Sequence, residues 1–161
     1  MDLVIREAGM EDLPGLIDLV EKVFDERISH LYTREGAATF KGFIKLPEME
    51  ERMKRNYWAL VAENGDLEIL GTIFLKNRDH INLFFVRTDS ERKGIGRALL
   101  DKAVKTIKGE DPSIEKITVN SSPNAVDAYG RLGFTVTGEE KVLHGIRFIP
   151  MELLIREWAL P

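Results

Sequence analysis

Glu91-Arg92-Lys93-Gly94-Ile95-Gly96-Arg97-Ala98-Leu99-Leu100 is the stretch on which the fold turns. Before it lies a run rich in β-formers, His80-Ile81-Asn82-Leu83-Phe84-Phe85-Val86, followed by seven polar residues. From Gly94 onward the apolar residues Ile95, Ala98, Leu99, Ala103, Val104 and Ile107 share one helical face, and Arg97, Asp101, Lys102 and Lys105 share the other. The spacing therefore predicts a strand that feeds a helix over residues 94–108. Ile117, Thr118 and Val119 follow as another strand, in a segment ending at Ser121. Strand, helix and strand make a right-handed crossover unit, with the two strands parallel.

Upstream, Leu3, Val4 and Ile5 read as a first strand, and Asp12 before Leu13 and Pro14 opens a helix that runs to Arg27. Its apolar set is Leu13, Leu16, Ile17, Val20, Val23 and Phe24. Residues 29–55 are expected to hold a second helix, with Phe40, Phe43 and Ile44 inward and a mobile stretch near Glu35 and Gly36. Residues 57–63 and 67–76 read as antiparallel strands joined at Asn64, Gly65 and Asp66. Downstream, Ser122 and Pro123 start a helix that Gly133 ends. Residues 134–142 and 146–155 close the chain as two strands around His144 and Gly145. The expected fold class is mixed α/β: one domain over residues 1–161, a mixed and mostly antiparallel sheet of about seven strands, and about four helices on its faces.

Composition removes several kinds of chemistry. The chain has no cysteine, which excludes disulfides, thiolate metal sites and a cysteine nucleophile. Three scattered histidines, His30, His80 and His144, argue against a metal site, so none is expected. The net charge of −4 argues against a nucleic-acid partner. No apolar run approaches the roughly 20 residues of a membrane span, and Met1 to Arg6 lack a basic region leading into an apolar signal core. The expectation is a cytoplasmic protein that does not engage a membrane.

The glycine pair Gly94 and Gly96 opens a helix whose first N–H groups are unpaired, an arrangement suited to an anion, and Arg92, Lys93 and Arg97 add positive charge. The same pair can instead serve only a tight strand-to-helix turn. The dinucleotide fingerprint fails because Leu99 stands where its third glycine belongs, and the phosphate-loop pattern fails because no Gly-Lys-Ser/Thr follows.

On these residues the chain resembles the GNAT family of N-acetyltransferases. That family's signature of Gln or Arg, two residues, Gly, any residue, then Gly or Ala aligns with Glu91 to Gly96, with Glu91 departing at the first position. A second block, Asn120-Ser121-Ser122-Pro123-Asn124-Ala125-Val126-Asp127-Ala128-Tyr129-Gly130-Arg131-Leu132-Gly133-Phe134, is similar to the family's asparagine, tyrosine and Leu-Gly-Phe. The resemblance implies an acetyl-CoA-dependent N-acetyltransferase with no metal. It implies that Arg92, Lys93, Gly94, Ile95, Gly96 and Arg97 hold the pyrophosphate. The strand over residues 80–86 would bulge and splay from the strand over residues 117–121, taking the pantetheine arm through Phe84, Phe85 and Val86. A bulge amide near Phe85 or Val86 would polarise the thioester carbonyl. Tyr129 matches the position that protonates the departing thiolate, or else packs its helix on the sheet; Asn124 contacts the coenzyme arm or caps its helix.

An alkylamine acceptor must lose a proton, and His80 is the residue whose ordinary titration range suits it, with water as the other route. Without cysteine, transfer is expected to be direct. The acceptor is a small-molecule or peptide amine; a non-catalytic coenzyme A-binding module and a transferase for a longer acyl chain are the alternatives. Within the family a bacterial group is similar in Glu35-Gly36, Phe40, His80-Ile81 and Gly145-Ile146-Arg147-Phe148, which brings in Arg147 and Glu35 as acceptor contacts or as solvated charges. A homodimer through an edge strand or the last hairpin stays open.

Overall fold

A computed structural model describes residues 2–158; Met1 and residues 159–161, the ends of the expected domain, lie outside them. In chain order the elements are β1 (Val4–Glu7), α1 (Leu13–Arg27), α2 (Arg34–Phe43), α3 (Leu46–Arg55), β2 (Tyr57–Glu63), β3 (Ile69–Lys76) and β4 (His80–Val86). There follow α4 (Ile95–Glu110), β5 (Lys116–Ser121), α5 (Val126–Arg131), β6 (Thr135–Val136), β7 (Lys141–Leu143) and β8 (Ile146–Leu154). The sheet order is β1-β2-β3-β4-β5-β8-β6, with β7 also on β8, and every pairing is antiparallel except β4 with β5. The crossover predicted from the glycine-rich stretch is that one parallel pair, bridged by α4.

The central strands are buried on both faces, which explains their nearly unbroken apolar runs. Leu60, Ala62, Ile73 and Leu75 face α4 and meet Ile95, Leu99, Leu100, Ala103 and Val104. Ala59, Val61 and Phe74 face the other way and meet Leu13, Leu16, Val20 and Val23 of α1 and Met49 of α3. Each fully buried Leu or Val contributes about 1.5–3 kcal/mol. Gly71 lets α4 approach β3, because a Cβ there would stand 3.2 Å from Leu99 and 3.3 Å from Ile95.

Four expectations change. Residues 29–55 hold two helices, because Lys45 is extended and Leu46-Pro47 starts a new helix; proline suits a first turn and cannot continue an existing helix. Glu35 and Gly36, expected in a mobile stretch, form the first turn of α2, whose Thr33 cap accepts from the Gly36 amide at 3.0 Å. The β2–β3 turn extends past Asp66: Asn64 Oδ1 accepts from the amides of Asp66 and Glu68, and β3 starts at Ile69 rather than Leu67. The strand expected over residues 134–142 is two, β6 and β7, interrupted at Gly138, where Pro150 packs. Among the described residues there are thus eight strands and five α-helices, and no helix is long and apolar enough to cross a membrane.

Candidate active site

β4 and β5 pair only at His80↔Thr118 and Ile81↔Val119 and then separate. The cause lies one residue further on. Leu75 pairs with Ile81 but Phe74 pairs with Leu83, so Asn82 is an extra residue on β4. A regular strand would send Ile81 and Leu83 to the same face; with the bulge Ile81 enters the α4-side core and Leu83 the α1-side core. The sequence reading put the bulge near Phe85 or Val86, and its place is corrected to Asn82 because both cores have to be filled. Beyond Ile81 the β4 backbone groups that point away from β3 have no neighbouring strand to bond among the described residues.

The gap is the mouth of a cleft of about 450 Å³, a size suited to a small-molecule arm. Phe84, Phe85, Val86 and Gly96 line it on one side, and Val119, Asn120, Ser122, Asn124 and Tyr129 on the other. Beyond the bulge the ordinary alternation of a strand sends Phe84 and Phe85 to opposite faces. Phe84 meets Tyr129 edge-on at 6.0 Å on the α4 side, whereas Phe85 approaches Phe40 at 6.0 Å on the side of α1 and α2.

At one end of the cleft stands the N-terminus of α4. Gly94 is its cap residue, with φ +81, and offers no side-chain hydrogen bond to the first-turn amides. Ile95 is buried in the core, so only its amide is available to a ligand. A Cβ on Gly96 would make no contact closer than 3.8 Å, to Phe84, so the protein's own packing does not require glycine there. Arg92 holds a left-handed backbone, φ 62, and is exposed, as is Lys93. Arg97 is placed elsewhere: its guanidinium stacks over Trp158 at 4.3 Å, with Asp101 nearby at 3.7 Å, away from the cleft lining. Glu91, the departure from the family signature, is paired with Arg27 at 3.1 Å.

Tyr129 is partly buried between Phe84 and Phe134, and its hydroxyl makes no hydrogen bond among the described residues. Burial pushes its phenol well above the ordinary tyrosine value. Asn124 lines the cleft and does not cap its helix: Ser122 stands before the turn and Ala125 before α5, while Asn124 Nδ2 donates to the Arg27 carbonyl at 3.5 Å. Arg27 thus meets both walls, through its side chain and its carbonyl.

His80 is not among the residues lining the cleft. Its Nδ1 lies 2.7 Å from Thr118 Oγ1, at the two-residue junction of β4 and β5, and burial, aided by Lys76 and opposed by Asp79, lowers its pKa. Arg147 is tied to Glu140 on the β7–β8 side, and Glu35 is exposed in α2. Two features escaped the sequence reading. Arg27 gave no signal, since its partner Glu91 is 64 residues away. Asn82 had one, as a polar residue inside an apolar strand, and its Oδ1 is a buried side-chain atom with no hydrogen-bond partner among the described residues.

The sequence pattern of the acetyltransferase (GNAT) domain matches residues 28–155. The fold is similar to that of a PaiA N-acetyltransferase from Thermoplasma acidophilum in complex with coenzyme A, at 22% identity and TM-score 0.78, over 96% of this chain and 99% of that one. It is also similar to a GNAT-family acetyltransferase from Staphylococcus aureus, at 19% identity and TM-score 0.74, over 95% and 99% of the two chains. A spermidine N-acetyltransferase from Vibrio cholerae, in complex with CoA and spermine, matches at 17% identity and TM-score 0.68, over 97% of each. Such identities speak for the fold, and the domain match, spanning the splayed strands and the uncapped helix, speaks for the family: this chain belongs to the GNAT acetyltransferases.

Proposed function

We propose that the protein transfers an acetyl group from acetyl-CoA directly to a primary amine. The observation that carries this reading is the end of β4–β5 pairing at Ile81↔Val119, beside the uncapped N-terminus of α4. Pyrophosphate fits the free amides of Ile95, Gly96 and Arg97, where partial positive charge and the absence of a Cβ at Gly96 coincide. The pantetheine arm fits the gap, where its amides take the place of the missing strand and bond the unpaired β4 groups over Leu83–Val86. Arg92 and Lys93 attract the phosphates from the exposed loop; the contribution of Arg97 is its backbone amide.

In the reaction the amine nitrogen attacks the thioester carbonyl carbon and the C–S bond breaks. As the C–S bond breaks, Tyr129 hands its proton to the leaving sulfur and is reprotonated from water in the open cleft; burial, which raises its pKa, keeps the phenol protonated at neutral pH. The proton lost from the amine passes to water in the open cleft, because His80 is directed to Thr118 instead. A β4 amide beyond the bulge at Asn82 is the donor toward the carbonyl oxygen. Holding both reactants in one cleft supplies the proximity that direct transfer needs, with no cysteine to carry an acyl group.

Calorimetric titration with acetyl-CoA and CoA, followed by thiol release in the presence of amines, tests the proposal. Binding with amine-dependent thiol release is expected. A folded protein that binds neither nucleotide would overturn the reading.

A further inference from the structure

Phosphate fixes one end of the proposed donor on the α4 face of the sheet. A thioester threaded through the β4–β5 gap then presents its carbonyl to the opposite face, where α1 and α2 lie. That half of the cleft is aromatic. Phe24 forms its floor, fully buried and stacked on Phe40 at 4.2 Å between ring centroids; Tyr32 meets Phe24 edge-on at 5.3 Å, and Phe85 closes the side of the sheet.

Its charges are as informative as its rings. Among the described residues lining the whole cleft, Glu91 is the one carboxylate and Arg27 the one cation, and they are paired with each other. An acceptor carrying a second or third ammonium therefore gains no ion pair from the cleft lining, whereas its extra charges must give up part of their hydration to enter it. Asn82, by contrast, is a cleft-lining residue whose side-chain carbonyl oxygen is buried and receives no hydrogen bond among the described residues. Such an oxygen costs free energy until a donor reaches it. A turn of the Asn82 side chain toward the cleft lets an amine N–H supply that donor, and an aromatic body on the same molecule fills the space between Tyr32, Phe40 and Phe85.

Resting on the acetyltransferase reading above, we propose that the acceptor is a primary monoamine with an aromatic body one or two carbons from the nitrogen, held by the Phe40 and Phe85 rings and by Asn82 Oδ1. Polyamines are disfavoured, because the cleft lining offers their extra ammonium groups no free carboxylate.

The test measures thiol release from acetyl-CoA with 2-phenylethylamine and with spermidine, beside calorimetry of CoA binding. The expected result is a kcat/KM at least about ten-fold higher for 2-phenylethylamine, a discrimination of about 1.4 kcal/mol. Asn82→Ala is expected to lower kcat/KM for that amine about ten-fold, to leave CoA affinity unchanged, and to cost the fold nothing, since it removes an unsatisfied group. Phe40→Leu keeps an apolar residue in α2 and is expected to narrow the preference between the two amines. Spermidine used as well as or better than 2-phenylethylamine overturns this proposal alone. So does a preference that survives both substitutions, or CoA binding without turnover of the arylalkylamine. Failure to bind CoA overturns the acetyltransferase reading and this one together.

Discussion

Gly145, in the turn between β7 and β8, lies so close to the first turn of α2 that a Cβ built on it would stand 2.6 Å from the amide nitrogen of Gly36. Thr33 and Thr39 of the same region donate to the carbonyls of Gly145 and His144, at 3.3 and 3.1 Å. The hairpin tip therefore holds α2, and with it Phe40, against the cleft. Gly145 also has φ +79 and follows His144 at φ 53, the pair of left-handed residues that a two-residue hairpin turn needs.

Gly145→Ala is accordingly expected to destabilise the fold by about 2 kcal/mol, from left-handed strain and from the clash with α2. Urea denaturation reads the loss. Because α2 carries Phe40, the same variant is expected to raise KM for the amine while CoA affinity stays constant.

Gly96→Glu separates binding from folding. The site has room for a Cβ, and a carboxylate in the first turn of α4 favours the helix, so the melting temperature is expected to hold or rise. The same carboxylate stands where the phosphates belong, and CoA affinity should fall at least about 30-fold, or about 2 kcal/mol. Retained affinity in calorimetry would remove α4 from the coenzyme site.

Tyr129→Phe tests the proton donor. Without the hydroxyl, kcat is expected to fall about 100-fold with CoA affinity little changed. Burial holds the phenol above its ordinary value, so its proton stays in place throughout the neutral and mildly basic range. The wild-type pH profile should therefore show no loss of activity from this group below about pH 10. Unchanged kcat in the variant would reduce Tyr129 to a packing residue between Phe84 and Phe134.

Acid stability should depend on Asp12. Its carboxylate accepts from Arg6 at 2.8 and 2.9 Å and from the Gly9 amide at 2.7 Å, and Arg6 also holds Glu63 at 3.0 Å. The Arg6 bonds lower the Asp12 pKa against the opposing effect of burial. A carboxyl lowered in the folded state stabilises the fold above its unfolded value, about 3.9, and loses that contribution as pH falls through the folded value. Asp12→Asn is expected to cost about 1–2 kcal/mol at pH 7, the cluster being partly open to solvent, and to flatten the acid limb of the stability profile. Denaturation midpoints from pH 2 to pH 7 check it.

Much of this was legible in the chain itself. A run of β-formers marked β4, the apolar residues on one helical face marked α4, Ile117-Thr118-Val119 marked β5 and the glycine pair marked the start of α4, because strand composition, helix periodicity and the entry of a helix are local properties. Pro47 also carried a local signal, which divides α2 from α3. The bulge was foreseen but misplaced: one extra residue on β4 is visible only against β3, whose Phe74 and Leu75 set the register. The position of His80 relative to Thr118, and of Arg97 relative to Trp158, likewise depends on partners 38 and about 60 residues away.

By itself the sequence determined the mixed sheet, its one parallel crossover, and a glycine loop and a tyrosine that resemble an acetyltransferase site. Tertiary structure alone decided which side chains meet in the cleft: Arg27 with Glu91, Phe24 with Phe40, and Asn82 with its carbonyl oxygen unpaired. Periodicity records whether a residue faces inward. What it meets there is set by strand register and by the packing of distant segments, and these are fixed only when the whole core closes.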